Sequence, residues 1–376
     1  MRITILGSNF AALEAIKTLR KKDPGRQLEL TVLSPKPQFL YYPSLIWIPS
    51  GERNGSEIVA DLSGFFQRMG VHHHQAEATG IRDKGRIVTT ADGAIHNDAL
   101  LIASGGTYLR KLPGIEHTIN PCAGIPMVET VRDRLQQMSG GTIAFGFAGN
   151  PVDPQGVRGG PMFEYLFGMH THLLRTGRRD RFNLVFFSPM AEPGKRLGPR
   201  AVQGLLSTMA EKKIATRLGE KILGFTPSGV TLEGGELAAD LTLFIPGMGG
   251  LPWYAETGFP LSAGGFITAD AHCRVTGHER VYVAGDAASL PGPEWRAKQA
   301  HMAELQARAA AANLYDDLMG KPGQATFRNE LICIVDSLNS GMLVSRLEWF
   351  DLILPPLRLM HWVKQFLEYK SLRPYT

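Results

Sequence analysis

The chain has 376 residues, enough for two or three domains of ordinary size, each with its own core. Hydrophobic residues make up 44% and charged residues 20%, which is the composition of a globular protein. The net charge of +5 comes without a Lys/Arg cluster that could follow a phosphate backbone, so we expect no nucleic-acid partner, whereas an anionic membrane surface stays open. Three scattered cysteines without zinc spacing exclude a disulfide scaffold.

The N-terminal segment predicts a strand, a helix and a second strand. Arg2 to Leu6 is apolar, Phe10 to Lys22 has helical spacing of its apolar residues, and Leu28 to Leu33 is apolar again. The chain enters its first strand directly at MRITILG without a secretory signal pattern, so we expect a cytoplasmic protein. This βαβ unit is the context that a dinucleotide-binding turn requires.

The turn between this strand and helix carries an imperfect glycine fingerprint. Gly7 is in place, but Asn9 takes the position of the middle glycine and Ala12 that of the third. Because Asn tolerates left-handed backbone angles and Ala is small enough for helix–strand packing, we expect this turn to bind a pyrophosphate. Ser34 ends the second strand, where an acidic residue often binds the ribose, and it is the weakest of these cofactor contacts.

The following segment closes a first lobe. His72, His73 and His74 are consecutive, and neighbours on a strand point to opposite faces, so at most two could share an ion and we predict no metal site. An apolar strand, Ala99 to Ala103, then ends at Ser104-Gly105-Gly106.

A second βαβ unit follows, with an unusually long connection. It comprises a strand from Thr142 to Phe147, a helix from Pro161 to Leu174 and a strand from Phe182 to Ser188. The insertion Asp153 to Pro161 replaces the tight turn that a nicotinamide pyrophosphate would need. We therefore expect that NAD(P)H does not bind here.

A late segment, Val281 to Leu290, predicts the other half of the first nucleotide site. Its apolar strand ends at Gly285-Asp286, where a backbone can approach a ligand and a carboxylate can accept hydroxyl hydrogen bonds. The Ala-rich helix predicted from Lys298 to Leu314 would present its N-terminus to an anion. Gly-Asp alone would indicate only a turn, but with the Gly7 turn it predicts FAD, with Asp286 on the ribityl chain.

The last stretch, Gly341 to Thr376, crowds aromatic and aliphatic side chains among basic ones. Pro355-Pro356 predicts a division into two short amphipathic helices, neither long nor apolar enough to span a bilayer. Such helices can lie in the membrane interface, and the alternatives are packing on the core or on a second subunit of a homo-oligomer.

The predicted fold class is α/β, with two Rossmann-like dinucleotide-binding domains plus a C-terminal amphipathic helical region. We expect residues 1–110 and 250–320 to form a discontinuous FAD-binding domain and residues 111–249 the second Rossmann-like domain. Residues 321–376 would form a region that interacts with quinone or membrane.

Segments spread over nearly the whole chain resemble one family. They are ILGSNFAALEA, FLYYPSLIWIPSGE, ALLIASGG, GGPMFEY, VYVAGDAASLP, CIVDSLNSG and HWVKQFLEYKSL. With them the chain resembles the sulfide:quinone oxidoreductases and the flavin subunits of flavocytochrome c sulfide dehydrogenase, within the pyridine nucleotide-disulfide oxidoreductase superfamily. The resemblance implies a peripheral FAD protein on the inner face of the cell membrane that passes two electrons from a small reductant such as sulfide to a membrane quinone.

The resemblance also implies roles for residues of this chain. The Gly7 turn would hold the pyrophosphate, and Pro43, Ala78, Ser104, Gly105, Gly285, Asp286 and Lys298 would contact other parts of FAD. Among these, Lys298 would approach the pyrimidine edge of the flavin and stabilise the reduced anion. Glu164 would relay protons if burial raises its pKa.

The cysteines depart from the family pattern. Cys333 in CIVD matches one of the two family cysteines that carry sulfur beside the flavin, but Arg158 stands where the second is expected, and arginine is no nucleophile. Cys122 matches a third family cysteine. Either Cys122 takes over as the partner of Cys333, or the disulfide step is lost.

Three hypotheses about function result. The first is an FAD-dependent oxidoreductase of the sulfide:quinone type. The second is a type II NADH:quinone oxidoreductase, which requires a nicotinamide site in the second unit. The third is a flavin-binding electron-transfer or docking subunit without its own substrate.

Overall fold

The computed structural model describes residues Met1 to Thr376, and a five-stranded parallel sheet forms the centre of its first lobe. The strands in spatial order are Val281–Val283, Ala99–Ile102, Arg2–Leu6, Glu29–Ser34 and Val71–Gln75. Every neighbouring pair runs parallel, so the carboxyl ends of all five strands meet at one edge. The strand Val281–Val283, which is late in the sequence, thus lies beside strands from the first hundred residues.

A four-stranded parallel sheet forms the centre of the second lobe. Its strands in spatial order are Ala215–Leu218, Phe182–Ser188, Gly141–Phe147 and Leu241–Ile245. Nearly continuous apolar runs such as Phe182–Ser188 suit a parallel sheet that is covered on both faces. Two Rossmann-like units are therefore present and the α/β fold class is confirmed, whereas the domain boundaries stay a prediction.

Smaller sheets, most of them antiparallel, accompany these two. Two three-stranded sheets comprise Gly80–Arg82, Ile87–Thr90 and Gly93–His96, and Ile222–Thr226, Gly229–Leu232 and Gly235–Ala238. The two-stranded ladders pair Gln38–Leu40 with Val59–Asp61, Thr107–Tyr108 with Met248–Gly249, and, in parallel, Ile267–Thr268 with Ala288–Ser289. The Thr107–Tyr108 ladder joins the segments that link the two lobes.

Seven α-helices accompany the sheets. They are α1 (Phe10–Lys22), α2 (Ser63–Met69), α3 (Ile125–Gln137), α4 (Gly160–Arg175), α5 (Pro199–Glu211), α6 (Ala300–Leu318) and α7 (Arg358–Leu372). A proline stands in the first turn of α3, α4 and α5, where its missing N–H removes no helical hydrogen bond. The helix predicted from Lys298 begins two residues later, at Ala300, so that Lys298 precedes it.

The C-terminal region differs from the prediction of two helices. An antiparallel sheet of Glu330–Asp336, Gly341–Leu347 and Asp351–Leu357 precedes the single helix α7. Pro355 and Pro356 lie in the third strand, which is an edge strand, and the register shifts beside them. Proline lacks the N–H that an inner strand must donate, but an edge strand with an irregular ladder accommodates it. The pair therefore divides a strand from a helix rather than one helix from another.

Each parallel sheet lies in its own large hydrophobic core, and the C-terminal region joins both. Leu372 and Tyr375 are buried in the core of the first lobe. Leu331 and Val335 are buried in that of the second lobe, together with Trp47. The C-terminal residues thus pack against both lobes and hold them together.

Candidate functional site

The turn at Gly7 makes a close backbone approach that only glycine allows. Gly7 has φ +106°, and a Cβ there would lie 2.4 Å from the carbonyl oxygen of Ala103 at the end of the neighbouring strand. Its N–H donates to the Leu33 carbonyl at 2.8 Å. Three strand ends thus meet around this turn, which forms a narrow cradle of the kind that receives a dinucleotide.

The other fingerprint positions fit the turn in their own ways. Asn9 is extended, with φ −111°, so the expectation of a left-handed backbone there is wrong. Instead it caps α1, and its Nδ2 donates to the Leu40 carbonyl at 3.3 Å. Ala12 is fully buried between helix and sheet. The hydroxyl of Ser34 donates to the Lys36 carbonyl at 2.9 Å and contacts His73 at 3.0 Å, so its geometry is set by protein partners.

The end of the strand Ala99–Ile102 offers an open backbone surface. Gly105 has φ +78°, and a Cβ there would meet no atom within 4 Å. The Ser104 hydroxyl contacts the Tyr254 hydroxyl at 2.9 Å, and the Tyr254 hydroxyl donates to the Gly105 carbonyl at 2.9 Å. This turn is therefore held rigidly from behind while its glycine faces free space, as close contact with a cofactor requires.

Gly285 and Asp286 follow the strand Val281–Val283 at the same sheet edge. Gly285 has φ +72°, its N–H donates to Gln306 at 2.8 Å, and a Cβ there would come within 3.4 Å of the Ala11 Cβ. Asp286 lines a cavity, and its Oδ2 accepts a hydrogen bond from Arg158. No protein donor reaches its Oδ1, which leaves one carboxylate oxygen available to ligand hydroxyls.

Lys298 reinforces the turn around Asp286. Its ammonium donates to the carbonyls of Asp286 at 3.0 Å and Ala288 at 2.8 Å, and it lies 3.9 Å from the centre of the Phe266 ring. Burial lowers the pKa of Lys298 to about 8. Two of the three N–H groups of the ammonium are thus bound within this turn. The predicted role of Lys298 at the flavin edge stays a prediction.

Arg158 is the functional candidate that sequence reasoning treated only as a missing cysteine. Besides Asp286, its guanidinium contacts the Tyr108 hydroxyl at 3.4 Å. Burial opposes the charge, but Asp286 and Tyr108 outweigh burial and raise the pKa of Arg158 above its usual value. The side chain remains about one-fifth exposed (22%), so a fixed positive charge faces the site where a thiol was expected.

The remaining predicted cofactor residues lie on this first lobe or at its border. Pro43 is half-buried in the first turn of the 3-10 helix Tyr42–Trp47. Burial raises the pKa of its neighbour Tyr42, and the Arg158 charge partly opposes that rise. Ala78 is half-buried against the core of the first lobe, beyond the strand Val71–Gln75. The cofactor contacts of both stay predictions.

All three cysteines are free thiols. Burial raises the pKa of Cys122 and of Cys333 to about 12, and it raises that of Cys273 as well. Cys333, in the strand Glu330–Asp336, packs against the start of α4. A Cβ added to Gly160 would be 3.9 Å from the Cys333 Sγ. Cys122 is within the electrostatic influence of Arg158 and Tyr108. Cys273 belongs to the core of the first lobe and contacts the Gln306 carbonyl.

Glu164 forms a buried charged pair with Lys364 of α7 beside Cys333. The Lys364 ammonium donates to Glu164 Oε1, which also accepts the Asp336 N–H at 3.0 Å. Burial raises the pKa of Glu164 to about 7, although Lys364 pulls it down. A carboxyl group that titrates near neutral pH is thus one α4 turn from the Cys333 contact, suited to accept and return protons.

A second buried group holds α7 from the same side. The Asp336 carboxylate accepts from Trp47 Nε1 at 3.1 Å and pairs with His361 Nδ1 at 2.7 Å. Burial alone would raise the pKa of Asp336, but the His361 hydrogen bond and the Lys364 charge bring it below its usual value. Arg53 donates to Glu368 at 2.8 Å, one further helical turn along α7.

Helix α7 is therefore amphipathic, but its apolar face is exposed and its charged face is buried. Its buried face carries the charged residues, and its exposed face carries Leu359, Trp362 and Phe366, which are 56%, 62% and 60% exposed. Because these side chains are exposed, the alternative that they pack on the core is wrong, whereas the membrane interface and a second subunit stay open. None of the helices combines the length and apolar content that crossing a bilayer requires.

The long connection before α4 closes on the second lobe. Gly149 pairs with Val157, Asn150 Nδ2 donates to the Met248 carbonyl at 2.9 Å, and the Met248 N–H donates to the Gly156 carbonyl at 2.9 Å. Asp153 accepts from Ser262 at 2.6 Å. The strand Gly141–Phe147 is thus followed by a folded loop instead of a short glycine turn into a helix.

Comparisons with known proteins agree with this architecture. No family profile matches the chain. It is 27% identical over 333 residues to an NADH dehydrogenase-like protein of Mycobacterium tuberculosis, covering 85% of this chain and 82% of that one. It is 23% identical over 360 residues to the sulfide-quinone reductase of Aquifex aeolicus, covering 89% of this chain and 80% of that one.

Solved structures show the same fold over almost the whole chain. The sulfide:quinone oxidoreductase of Aquifex aeolicus superposes with a TM-score of 0.89 at 20% identity, covering 98% of this chain and 90% of that one. NDH2 of Plasmodium falciparum superposes with a TM-score of 0.76 at 12% identity, covering 99% and 94%. The Gly7, Gly105 and Asp286 cradle fits FAD. The chain therefore has the fold of the sulfide:quinone oxidoreductases and is an FAD-dependent oxidoreductase.

Proposed function

We propose that this protein oxidises a small sulfur anion such as hydrosulfide and delivers the two electrons to a membrane quinone. The observation that carries the proposal is the arrangement around Gly159-Gly160 at the start of α4. On one side Arg158 pairs with Asp286, the predicted flavin contact, and on the other Cys333 lies against Gly160. A thiol and a fixed positive charge thus flank the predicted flavin site.

The sulfur chemistry needs only one cysteine. Hydrosulfide and the Cys333 thiol form an S–S bond, which releases two electrons and one proton and leaves a cysteine persulfide. Bound FAD would supply the two-electron acceptor for this step. A second hydrosulfide then displaces the outer sulfur as a hydrogen disulfide anion and restores the thiol. The absence of a cysteine at position 158 is therefore compatible with turnover.

Two charged groups of this chain would assist that step. Glu164 would take the released proton, because burial raises its pKa to about 7 and it influences Cys333 electrostatically. Arg158 would attract the hydrosulfide anion, since its side chain is partly exposed and only some of its N–H groups are bound to Asp286 and Tyr108. The quinone would take up two protons with the electron pair, one equivalent to the proton released at Cys333 and the other from solvent, which closes the balance.

The exposed face of α7 supports a place on the membrane. Leu359, Trp362 and Phe366 present apolar surface outward while charged residues fasten the helix inward. An interfacial helix would lie with this face in the headgroup region, where a quinone can enter. The side of the membrane that we propose is the inner face of the cell membrane, as the family resemblance implies.

An NADH:quinone oxidoreductase is the second candidate, and the 27% identity to an NADH dehydrogenase-like protein favours it. The folded loop from Asn150 to Gly159 argues against it, because it fills the place of a nicotinamide pyrophosphate turn. A docking subunit without its own substrate would retain FAD but lack turnover with any small donor.

The test is steady-state quinone reduction by the full-length protein in detergent. With a soluble quinone analogue we expect turnover with sulfide and none with NADH. Turnover with NADH alone would establish the second candidate, and turnover with neither donor would support the docking subunit. The matched variant Cys333→Ser should lose sulfide turnover, whereas Cys273→Ser, which changes a thiol outside the site, should retain it.

A further inference from the structure

A cleft of about 330 Å³ opens beside the N-terminal half of α7, and Cys333 is not part of its lining. Its walls include Arg53 next to the 3-10 helix, Arg175 at the end of α4, and Arg358 at the start of α7. His361 and Trp362 complete the α7 side. Three arginines from distant parts of the chain thus converge on one cavity that the proposed redox chemistry does not use.

The cleft keeps an excess of positive charge. Arg175 is paired with Glu52 at 2.6 Å, the one carboxylate in the lining, and Arg53 is paired with Glu368 at 2.8 Å. Arg358 is exposed and has no carboxylate within ion-pair distance. Guanidinium groups suit phosphate oxygens because their planar N–H forks bind two oxygens at once.

The position of the cleft selects the source of the phosphate. Trp362 lines the cleft and also belongs to the exposed apolar face of α7, with Leu359 on the same face. Tryptophan is enriched where a protein meets the headgroup layer of a membrane. A molecule with a phosphate in the cleft and acyl chains along this face would match both the basic cleft and the apolar face of α7.

We propose that the cleft binds the phosphate headgroup of an anionic phospholipid. The inference rests on the membrane docking proposed above and adds to it a lipid preference. Arg358 supplies the free charge, Arg53 and Arg175 supply further N–H donors, and Trp362 lies at the boundary between headgroup and acyl chains. Glu52 limits the charge, so one phosphate rather than several is the matching occupant.

Vesicle sedimentation of the full-length protein tests this proposal. One set of vesicles contains only phosphatidylcholine, and the other is an equimolar mixture with phosphatidylglycerol. We expect tighter binding to the mixture, and about a fivefold loss of that binding in Arg358→Gln, because each basic residue near an anionic surface contributes about that much. Arg82→Gln removes an equal charge from an exposed position on the sheet of residues 80–96 and should bind like the unchanged protein.

The outcomes separate the two proposals. Absence of binding to either vesicle contradicts membrane docking itself, whereas equal binding to both vesicles overturns only the headgroup site. Arg358→Lys retains the charge but loses the planar N–H fork of the guanidinium. Full binding by this variant would show that only general electrostatic attraction acts, and it would overturn the headgroup site. Thermal stabilisation by inorganic phosphate as strong as that by the mixed vesicles, and lost in Arg358→Gln, would assign the cleft to free phosphate. Bound FAD and circular dichroism report whether each variant is folded.

Discussion

Arg158 donates a charge-assisted hydrogen bond to the carboxylate of Asp286, the residue predicted to contact the ribityl chain of FAD. The two residues are 128 positions apart in the chain, and the pair joins the connection before α4 to the strand end of the first lobe. Asp286 keeps one oxygen free for a ligand, and Arg158 keeps N–H groups free. Arg158, at a position where the resemblance leads us to expect a cysteine, thus gives the site a fixed cation.

Substitution of Arg158 tests whether that cation attracts the reductant. In Arg158→Gln the second-order rate of flavin reduction by sulfide should fall about tenfold, because a neutral side chain no longer attracts the anion. Arg158→Lys should retain most of the rate. Stopped-flow absorbance measures both rates. An unchanged rate in the glutamine variant would show that Arg158 does not attract the reductant.

The pH dependence of the same reaction tests Glu164. Burial raises the pKa of Glu164 to about 7, so its proton-accepting form increases as the pH rises through 7. The rate should rise over this range, and Glu164→Gln should be slower by about a hundredfold, as loss of a general base entails. Ionisation of sulfide itself is identical in both proteins, so only the difference between their profiles counts. Superimposable profiles would exclude Glu164 as the base.

Acid should release α7. The pKa of Asp336 is lowered in the folded protein, so its ionised form contributes stability above the ordinary carboxyl range, and that contribution is lost as the pH falls through the folded pKa. The groups that face it are His361 and Lys364 on α7 and Trp47 from the second core. Hydrogen exchange of α7 amides, corrected for the intrinsic pH effect, should accelerate below about pH 4. In Asp336→Asn exchange should already be fast at neutral pH, and protection equal to that of the unchanged protein would contradict this.

Gly7→Ala should abolish stable FAD binding. The added Cβ would lie 2.4 Å from the Ala103 carbonyl oxygen at a left-handed backbone position, and relief of this clash must widen the cradle. Gly277→Ala is the matched control, because Gly277 has φ +78° with open space around it and should cost only about 1 kcal/mol. FAD content after gel filtration and urea unfolding compare the two. Equal FAD content in both variants would show that Gly7 does not form the cradle.

The sequence was most informative where a feature is local. A strand that ends in glycine reveals itself within a few residues, which is why the turns at Gly7 and Gly285 could be located in advance. The same holds for the long connection before α4. Its closure onto Met248 could not be predicted, because that contact depends on the packing of distant segments.

Two features of the C-terminal region show the limit of sequence periodicity. The spacing of Leu359, Trp362 and Phe366 predicts an amphipathic helix but not which face is buried, and the usual assumption that the apolar face is inside is wrong here. The ion pairs of Lys364 and Glu368 with residues far along the chain decide the orientation. Likewise, Pro355-Pro356 indicates a helix break, but only tertiary pairing reveals an edge strand.

We propose that a sulfur anion, not a nicotinamide, reduces the flavin. The most direct measurement is anaerobic mixing of the FAD-loaded protein with sulfide, and separately with NADH, while flavin absorbance is followed. We expect rapid bleaching by sulfide that is lost in Cys333→Ser, and none by NADH. Bleaching by NADH with no response to sulfide would contradict it.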